Sequence, residues 1–211
     1  MKFILSFFIF SVLSIKFLSA QNPVVTNIAI LKTSLGDIKI EFYGEDAPKT
    51  VANFLGLAKQ GFYDGILFHR VVSGFVIQAG DPQTKDSTLK DLWGTGGESI
   101  YGSEFEDELN AKSPSYKRGY VEGVVAMANA GPNTNTSQFF IGFGKAINLP
   151  KKYTIYGKVI MGLDIVHTIE KVKVDANSRP LIPVVIISVK EEVSGLDIED
   201  VNSRIDCLEL K

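Results

Sequence analysis

Residues 68–81 read FHRVVSGFVIQAGD, and residues 127–141 read MANAGPNTNTSQFFI. In both stretches, apolar residues of the kind that favour strands are interrupted by single polar groups. The first stretch contributes the permanent cation of Arg70, and the second contributes the side-chain amides of Asn129 and Gln138. An apolar pocket with one strong hydrogen-bond donor suits a charge-neutral reaction that needs neither a nucleophile nor a metal.

Short runs of β-branched and aromatic residues follow one another along the chain, separated by Gly, Pro, Asn or Asp. Ile28–Thr33 and Ile38–Tyr43 flank a short turn and predict a hairpin. Apolar residues recur at helical spacing in Pro48–Gly61 and Gly162–Lys171. Many short strands with two helices are typical of a closed β-barrel or a sandwich, and a barrel leaves no exposed edge.

The first twenty residues have the pattern of a targeting segment. Lys2 gives a positive start, residues 3–15 are almost wholly apolar, and Ser19 and Ala20 are small. This predicts a secretory signal peptide, residues 1–20, cleaved near Ala20. The apolar run is shorter than the roughly 20 residues that span a bilayer, although an uncleaved anchor is the alternative. We therefore expect a protein of the secretory pathway, secreted or in the endoplasmic reticulum lumen, without membrane contact after cleavage.

Removal of residues 1–20 leaves 20 basic and 24 acidic side chains, so the net charge moves from −2 to −4. Lys and Arg form no basic stripe of the kind that binds nucleic acid. Residues 21–192 are enough for one domain, which we expect to be a monomer, and residues 193–211 predict an acidic C-terminal extension. The single cysteine, Cys207, excludes an intramolecular disulfide; a free thiol and pairing with another chain both stay open.

Three further segments carry a family resemblance. Residues 94–102 read GTGGESIYG, residues 105–108 read FEDE, and residues 156–159 read YGKV. With the two stretches quoted first, they make the chain from about Ile28 to Lys190 resemble the cyclophilins, the cyclosporin-binding class of peptidyl-prolyl cis-trans isomerases. The chain is most similar to the small single-domain cyclophilin-like isomerases.

The resemblance implies a mainly β fold: a closed eight-stranded antiparallel β-barrel capped by two α-helices, with the site on its outer face. It implies an enzyme without cofactor or metal that acts on proline-containing peptides and unfolded proteins. The implied catalytic residues are Arg70 as the cation, Phe75 as a pocket wall and Gln78, which orients Arg70. The other implied residues bind the proline ring or the substrate main chain, and they are Val76, Gly94, Ala128, Asn129, Gln138, Phe140, Leu149 and Tyr153.

The chain departs from the pattern of the family at several positions. Val76 stands where Met is common, Tyr153 stands where a His closes the pocket, and Asn148 stands where a Trp contacts cyclosporin. Binding of cyclosporin-type ligands is therefore expected to be possible but weakened. The loop from Gln83 to Trp93 is longer than usual, and Trp93 is a candidate to replace the missing Trp in space.

Alternative functions stay open beside the enzyme. The groove can belong to a proline-peptide binding module or chaperone with incidental turnover, or the chain can be a structural or signalling protein that uses its tail and long loop. Arg70 favours the enzyme. His69 and His167 lie on separate elements, which predicts a structural and a helix-surface role. Asn135 opens an N-glycosylation acceptor pattern that we expect to stay unmodified.

Overall fold

The structure is a computed structural model that describes residues 27–144 and 148–193. Eight strands form one antiparallel sheet around the core. The strands are β1 (Asn27–Thr33), β2 (Gly36–Phe42), β3 (Arg70–Val72), β4 (Val76–Ala79), β5 (Val124–Met127), β6 (Phe139–Gly142), β7 (Ile155–Met161) and β8 (Ile186–Val193). The predicted signal peptide and residues 194–211 of the predicted acidic extension lie outside the described residues.

The sheet has the order β3-β4-β6-β5-β7-β2-β1-β8 and curls into a half-barrel. The predicted hairpin is confirmed as β1 and β2, and the last strand pairs with the first, as expected. The prediction of a closed barrel is wrong, because β3 and β8 do not pair; only the segments that precede them meet, at an isolated bridge between Leu67 and Val185. The edge of β3 is occupied instead by a loop, since Val71 donates its N–H to the carbonyl of Ser178 at 2.8 Å.

The first helix, α1 (Pro48–Lys59), begins and ends where the sequence predicts. Pro48 occupies its first turn, where a missing N–H costs no hydrogen bond. The carboxylate of Glu108 accepts hydrogen bonds from the main-chain N–H groups of Lys49 (3.0 Å) and Thr50 (2.8 Å) and so caps the helix from a distant segment. After the helix, Gly61 takes a φ of 70°, a conformation that glycine adopts without strain.

The second predicted helix is confirmed as α3 (Leu163–Glu170), but the sequence missed a short helix, α2 (Pro114–Arg118). The side-chain oxygen of Ser113 accepts a hydrogen bond from the N–H of Tyr116 and so caps α2. The long loop also contains two 3-10 helices, Pro82–Lys85 and Ser87–Leu92. No helix among the described residues is both long and apolar enough to span a bilayer.

Strand alternation gives the sheet two apolar faces. The inner face carries the main core, which includes Ile77 on β4 and Phe139 on β6. The neighbouring residues Val76 and Phe140 point the other way and belong to a smaller apolar cluster on the outer face. An antiparallel sheet usually exposes its outer face to water, so an apolar cluster there provides a surface on which a ligand can bind.

Candidate active site

The register of four neighbouring strands places the predicted catalytic groups in one row. Arg70 on β3 lies opposite Gln78 on β4, and Gln78 lies opposite Phe140 on β6. Phe140 in turn lies opposite Ala126 on β5. Because directly paired residues share one face of a sheet, a cation, an amide and an aromatic ring stand side by side on the outer face.

A chain of hydrogen bonds fixes the polar half of this row. Nη1 of Arg70 donates to Oε1 of Gln78 at 3.3 Å, and Nε2 of Gln78 donates to Oε1 of Gln138 at 2.9 Å. Nε2 of Gln138 then donates to the carbonyls of Gly94 (3.0 Å) and Gly96 (2.5 Å). The Arg70 guanidinium also lies 5.8 Å from the centroid of the Phe75 ring. Within the part of the chain that the structure describes, these contacts hold the cation on the rim of the apolar cluster and leave most of its donors unused.

A pocket of about 250 Å³ opens next to the guanidinium. Nine of the predicted site residues line it together: Arg70, Phe75, Val76, Gln78, Ala128, Asn129, Phe140, Leu149 and Tyr153. Most of the residues that line it have apolar or aromatic side chains, the polar groups of Arg70, Gln78 and Asn129 supply much of its accessible surface, and Arg70 supplies the only full charge among them. The pocket, called the proline pocket below, can hold a small apolar ring against a single strong donor.

Three aromatic side chains support the far wall of the proline pocket. The rings of Phe140 and Tyr153 meet edge to face, with centroids 5.7 Å apart. Tyr120 lies behind them, and its hydroxyl donates to the carbonyl of Tyr153 at 2.8 Å and accepts from the N–H of Tyr153 at 2.9 Å. Burial raises the pKa of Tyr120 to about 12, so the hydroxyl stays protonated and keeps both bonds at neutral pH.

A larger groove of about 630 Å³ adjoins the pocket and contains the two remaining predicted residues, Gly94 and Gln138. It shares Gln78, Ala128 and Asn129 with the proline pocket. Within residues 27–144 and 148–193, the main-chain N–H and C=O of Asn129 have no hydrogen-bond partner. Two adjacent free main-chain groups at the end of a strand can pair with an extended peptide, as the sequence predicts for Asn129.

The sequence did not assign roles to two residues that shape the site. The fully buried carboxylate of Asp81 accepts from the main-chain N–H groups of Gly94 (2.6 Å) and Gly96 (3.1 Å), and it thereby fixes the loop that holds Gln138. Asp81 follows Gly80 at the end of the first quoted stretch and precedes the glycine-rich segment 94–97. A carboxylate ahead of such a segment was the available sign that its main chain needs an acceptor. Tyr120 was missed because its segment resembles no motif of the site.

The two histidines do not take part in the proline pocket. His69 is only 4% exposed, and burial lowers its pKa to about 4, which the nearby Asp81 carboxylate only partly opposes. His167 lies on α3, as predicted, with its ring nitrogens 3.0 Å from carboxylate oxygens of Glu122 and Glu170. Among the described residues, no three His, Cys, Asp or Glu side chains cluster as metal ligands do.

Trp93 does not replace the Trp that the family places near Leu149. It is absent from the residues that line the proline pocket and lines a separate hollow beside Arg70 and Asp91. Asn148 is exposed next to Leu149. The flat aromatic contact expected at this point of the family is therefore missing from the described surface.

Comparison with known proteins identifies the family. Residues 28–191 match the cyclophilin type peptidyl-prolyl cis-trans isomerase/CLD family. The chain is 48% identical to peptidyl-prolyl cis-trans isomerase ppi1 of Schizosaccharomyces pombe over 74% of this chain and 94% of that protein. It is also 48% identical to human peptidyl-prolyl cis-trans isomerase-like 3, over 72% and 87% of the two chains. In peptidyl-prolyl cis-trans isomerase CYP71 of Arabidopsis thaliana, the 48% identical region spans 81% of this chain but only 25% of that longer protein.

Solved structures agree with the sequence comparison. A cyclophilin type peptidyl-prolyl cis-trans isomerase of Cryptosporidium parvum superposes with a TM-score of 0.71 at 34% identity, over 81% of this chain and 99% of that one. The same protein in the presence of the dipeptide Ala-Pro gives a TM-score of 0.70 at 35% identity, over 79% and 99%. The fold, the outer-face pocket and these relatives together show that the chain belongs to the cyclophilin-type peptidyl-prolyl cis-trans isomerases.

Proposed function

We propose that the protein is an active peptidyl-prolyl cis-trans isomerase that accelerates rotation about Xaa-Pro peptide bonds. The observation that carries the proposal is the position of the Arg70 guanidinium, oriented by Gln78 at the rim of a ring-sized apolar pocket. The related structure studied with Ala-Pro supports the choice of a proline-containing ligand. In this proposal, the proline ring contacts Phe75, Phe140 and Leu149.

The reaction needs a way to weaken the double-bond character of the peptide C–N bond. Rotation about an ordinary peptide bond has a barrier of about 18–20 kcal/mol. Before proline the two isomers differ by only about 0.5–1 kcal/mol, yet they still exchange over tens to hundreds of seconds. Neither a proton nor a covalent intermediate has to be formed, so positioning and electrostatics are sufficient.

The pocket provides two effects that favour the twisted state. Water stabilises the planar, charge-separated form of the amide. The apolar side chains of the pocket remove the amide from water and so take away this stabilisation. Arg70 can donate to the proline nitrogen once that nitrogen becomes pyramidal during rotation. Because this hydrogen bond exists only in the transition state, it raises the rate rather than only the affinity. A thousandfold acceleration requires about 4 kcal/mol, which one charge-assisted bond with desolvation can supply.

Substitution of Arg70 tests the proposal. Catalysed isomerisation of an Ala-Pro peptide is followed by NMR exchange or by a protease-coupled assay, with wild type, Arg70→Ala and Arg70→Lys. We expect Arg70→Ala to lose about a hundredfold in kcat/KM. Arg70→Lys should recover only part of that loss, because lysine lacks the planar guanidinium group. Arg118→Ala is the matched control, since Arg118 is exposed and contacts Tyr43 outside the pocket.

Two outcomes of this test separate the enzyme from a proline-peptide binding module. A binding module would bind the peptide while wild type and Arg70→Ala both leave the rate of isomerisation at its background value. That result would overturn the proposed activity. Normal turnover by the wild type together with full turnover by Arg70→Ala would instead remove Arg70 from the mechanism.

We further propose that its substrates are proteins that fold in the secretory pathway. The support comes from the sequence, where a positive start and an apolar run at residues 3–15 precede the small residues Ser19 and Ala20. The test is to locate the tagged protein in cells and to sequence its mature N-terminus. We expect a new terminus near Gln21 and a lumenal or secreted protein; an intact Met1 with a nuclear or cytosolic location would contradict the proposal.

A further inference from the structure

A second hollow, of about 470 Å³, opens beside the proline pocket and shares Arg70 and Gln78 with it. We call it the Trp93 hollow; its other walls include Asp91, Trp93 and Arg179. It does not include Ala128 or Asn129, which line the groove adjoining the pocket. An extended peptide whose proline occupies the pocket can therefore continue in two directions, into the groove at Asn129 or into the Trp93 hollow.

Two segments that contact each other, the loop up to Trp93 and Gly94 and the turn from Asp175 to Arg179, supply the walls of the Trp93 hollow that the proline pocket does not share, apart from His69. The carboxylate of Asp86 caps the Ser87–Leu92 helix by accepting from the N–H of Thr88 at 2.8 Å. Nε1 of Trp93 donates to the carbonyl of Asp86 at 3.2 Å, which fixes the edge of an indole that lines the hollow. Asp175 Oδ1 accepts from the N–H of Arg179 at 2.9 Å. The long loop from Gln83 to Trp93 therefore forms one wall of the Trp93 hollow.

The opposite segment is tied to this loop by charge. Nζ of Lys90 lies 3.8 Å from Oδ2 of Asp175, the residue that also holds the main chain of Arg179. The Arg179 guanidinium itself makes no salt bridge within residues 27–144 and 148–193. With Arg70 and Arg179 against Asp91, the fixed charges that line the hollow are positive on balance.

A buried histidine supports the inner wall of the hollow. His69 lines the hollow at 4% exposure, and its ring nitrogens are closed off from solvent. A Cβ at Gly94 would lie 3.6 Å from its Nε2, so the glycine lets the neighbouring loop pack closely against this edge of the ring.

We propose that the Trp93 hollow is a specificity subsite for the flank of the substrate that leaves the proline pocket past Arg70, and that it favours an acidic side chain on that flank. Arg179 attracts the carboxylate, and the Trp93 face packs against the adjoining chain. The proposal rests on the proposed isomerase activity and adds to it the chemistry of the preferred substrate. It also gives the long loop a function, which the proline pocket does not need.

The test uses peptides that carry one Glu or one Gln at the second or third residue on either side of proline. Catalysed cis–trans exchange is measured by NMR with the full-length protein. We expect Glu to exceed Gln in kcat/KM by about threefold, as for a solvent-accessible ion pair, on one flank only. The preference should shrink at about 1 M salt, where charges are screened beyond roughly 3 Å.

Matched variants assign the effect to the hollow. Arg179→Gln should abolish the Glu preference, and Trp93→Ala should lower kcat/KM for the extended peptides alone. The controls are Arg118→Gln, on an exposed arginine elsewhere, and Leu92→Ala, on an exposed neighbour that does not line the hollow. Neither control should change the preference.

The outcomes separate the subsite from the isomerase activity. If a short Ala-Ala-Pro-Phe peptide is turned over but Glu gives no advantage on either flank, the subsite is refuted and the activity stands. An equal advantage on both flanks, or one that survives in Arg179→Gln, also refutes it. Loss of turnover for every peptide would refute the proposed function itself.

Discussion

Gln78 and Gln138 are joined by a 2.9 Å hydrogen bond between their side-chain amides, and this bond couples the proposed catalytic cation to the neighbouring groove. On one side, Oε1 of Gln78 accepts from Arg70. On the other, Nε2 of Gln138 donates to the carbonyls of Gly94 and Gly96. Since each amide uses its oxygen on one neighbour and its nitrogen on the next, neither can rotate without breaking both contacts.

The first prediction concerns this relay. Gln78→Ala removes the acceptor of Arg70, and we expect kcat to fall about tenfold with little change in KM, the equivalent of about one hydrogen bond. In the double variant Gln78→Ala/Gln138→Ala, the loss of kcat, expressed as free energy, should be smaller than the sum of the two single losses, because both substitutions break the same bond. Steady-state kinetics of the two singles and the double variant measure the coupling. Gln60→Ala, on an exposed residue after α1, is the control, and strictly additive effects would contradict the relay.

The second prediction concerns stability in mild acid. Burial lowers the pKa of His69 to about 4 in the folded protein, against about 6.5 for an unperturbed histidine. Between these values the unfolded chain binds more protons, so stability falls as the pH is lowered from 6.5 towards 4. Linkage gives a loss of about 2 kcal/mol at about pH 5 relative to neutral pH.

Urea unfolding at both pH values measures this loss. His69→Gln cannot titrate, so its free energy of unfolding should lack that part of the pH dependence. Carboxylates such as Glu170 also contribute, because burial raises its pKa but hydrogen bonds from His167, Gly74 and Ser73 outweigh this and lower it. Glu170 is unchanged in the variant, and the difference between the two proteins therefore isolates His69. Parallel pH profiles would refute the assignment.

The sequence predicted the local part of the fold better than its closure. The strand runs and the two longer helices followed from residue pattern, because alternation and capping are local properties. Closure of the barrel was mispredicted because Val71 pairs with Ser178, a contact across more than a hundred residues that no local pattern encodes. The short helix Pro114–Arg118 is only five residues long, too short for a periodic signal.

The site shows the same division. Motif residues such as Arg70, Gln78 and Phe140 were found because the family resemblance names them, and the register explains why they lie together. Asp81 and Tyr120 act on main-chain groups of distant segments, and which groups these are depends on the folded chain. Residues that shape a site through the backbone carry the weakest signal in a single sequence.

The third prediction concerns the glycosylation pattern at Asn135. The side chain is fully buried, and its Nδ2 donates to the carbonyl of Phe105 at 3.1 Å and to Oδ1 of Asp107 at 2.8 Å. A glycan on this nitrogen would break both bonds and displace the surrounding chain. We therefore expect protein secreted from a glycosylating host to show no mass change after treatment with a deglycosylating enzyme.

A positive control shows that the host can modify this protein. Lys112→Thr creates an acceptor pattern at Asn110, which is exposed, and this variant should lose the mass of a glycan on treatment. If the wild type loses mass as well, modification precedes folding of the Phe105–Asn135 contact, and the burial argument fails.

The fourth prediction concerns cyclosporin. Asn148 is exposed beside Leu149, which lines the proline pocket, so a large flat contact and a ring N–H donor are absent at this point. We expect Asn148→Trp to tighten binding about tenfold, since a buried aromatic contact and its hydrogen bond contribute on the order of 1.4 kcal/mol together. Isothermal titration with both proteins measures the change.

Asn148→Leu is the control, because it adds apolar area without the ring or the donor and should recover only part of the affinity. Wild-type binding at nanomolar affinity, or no gain in Asn148→Trp, would show that the ligand contacts this surface elsewhere.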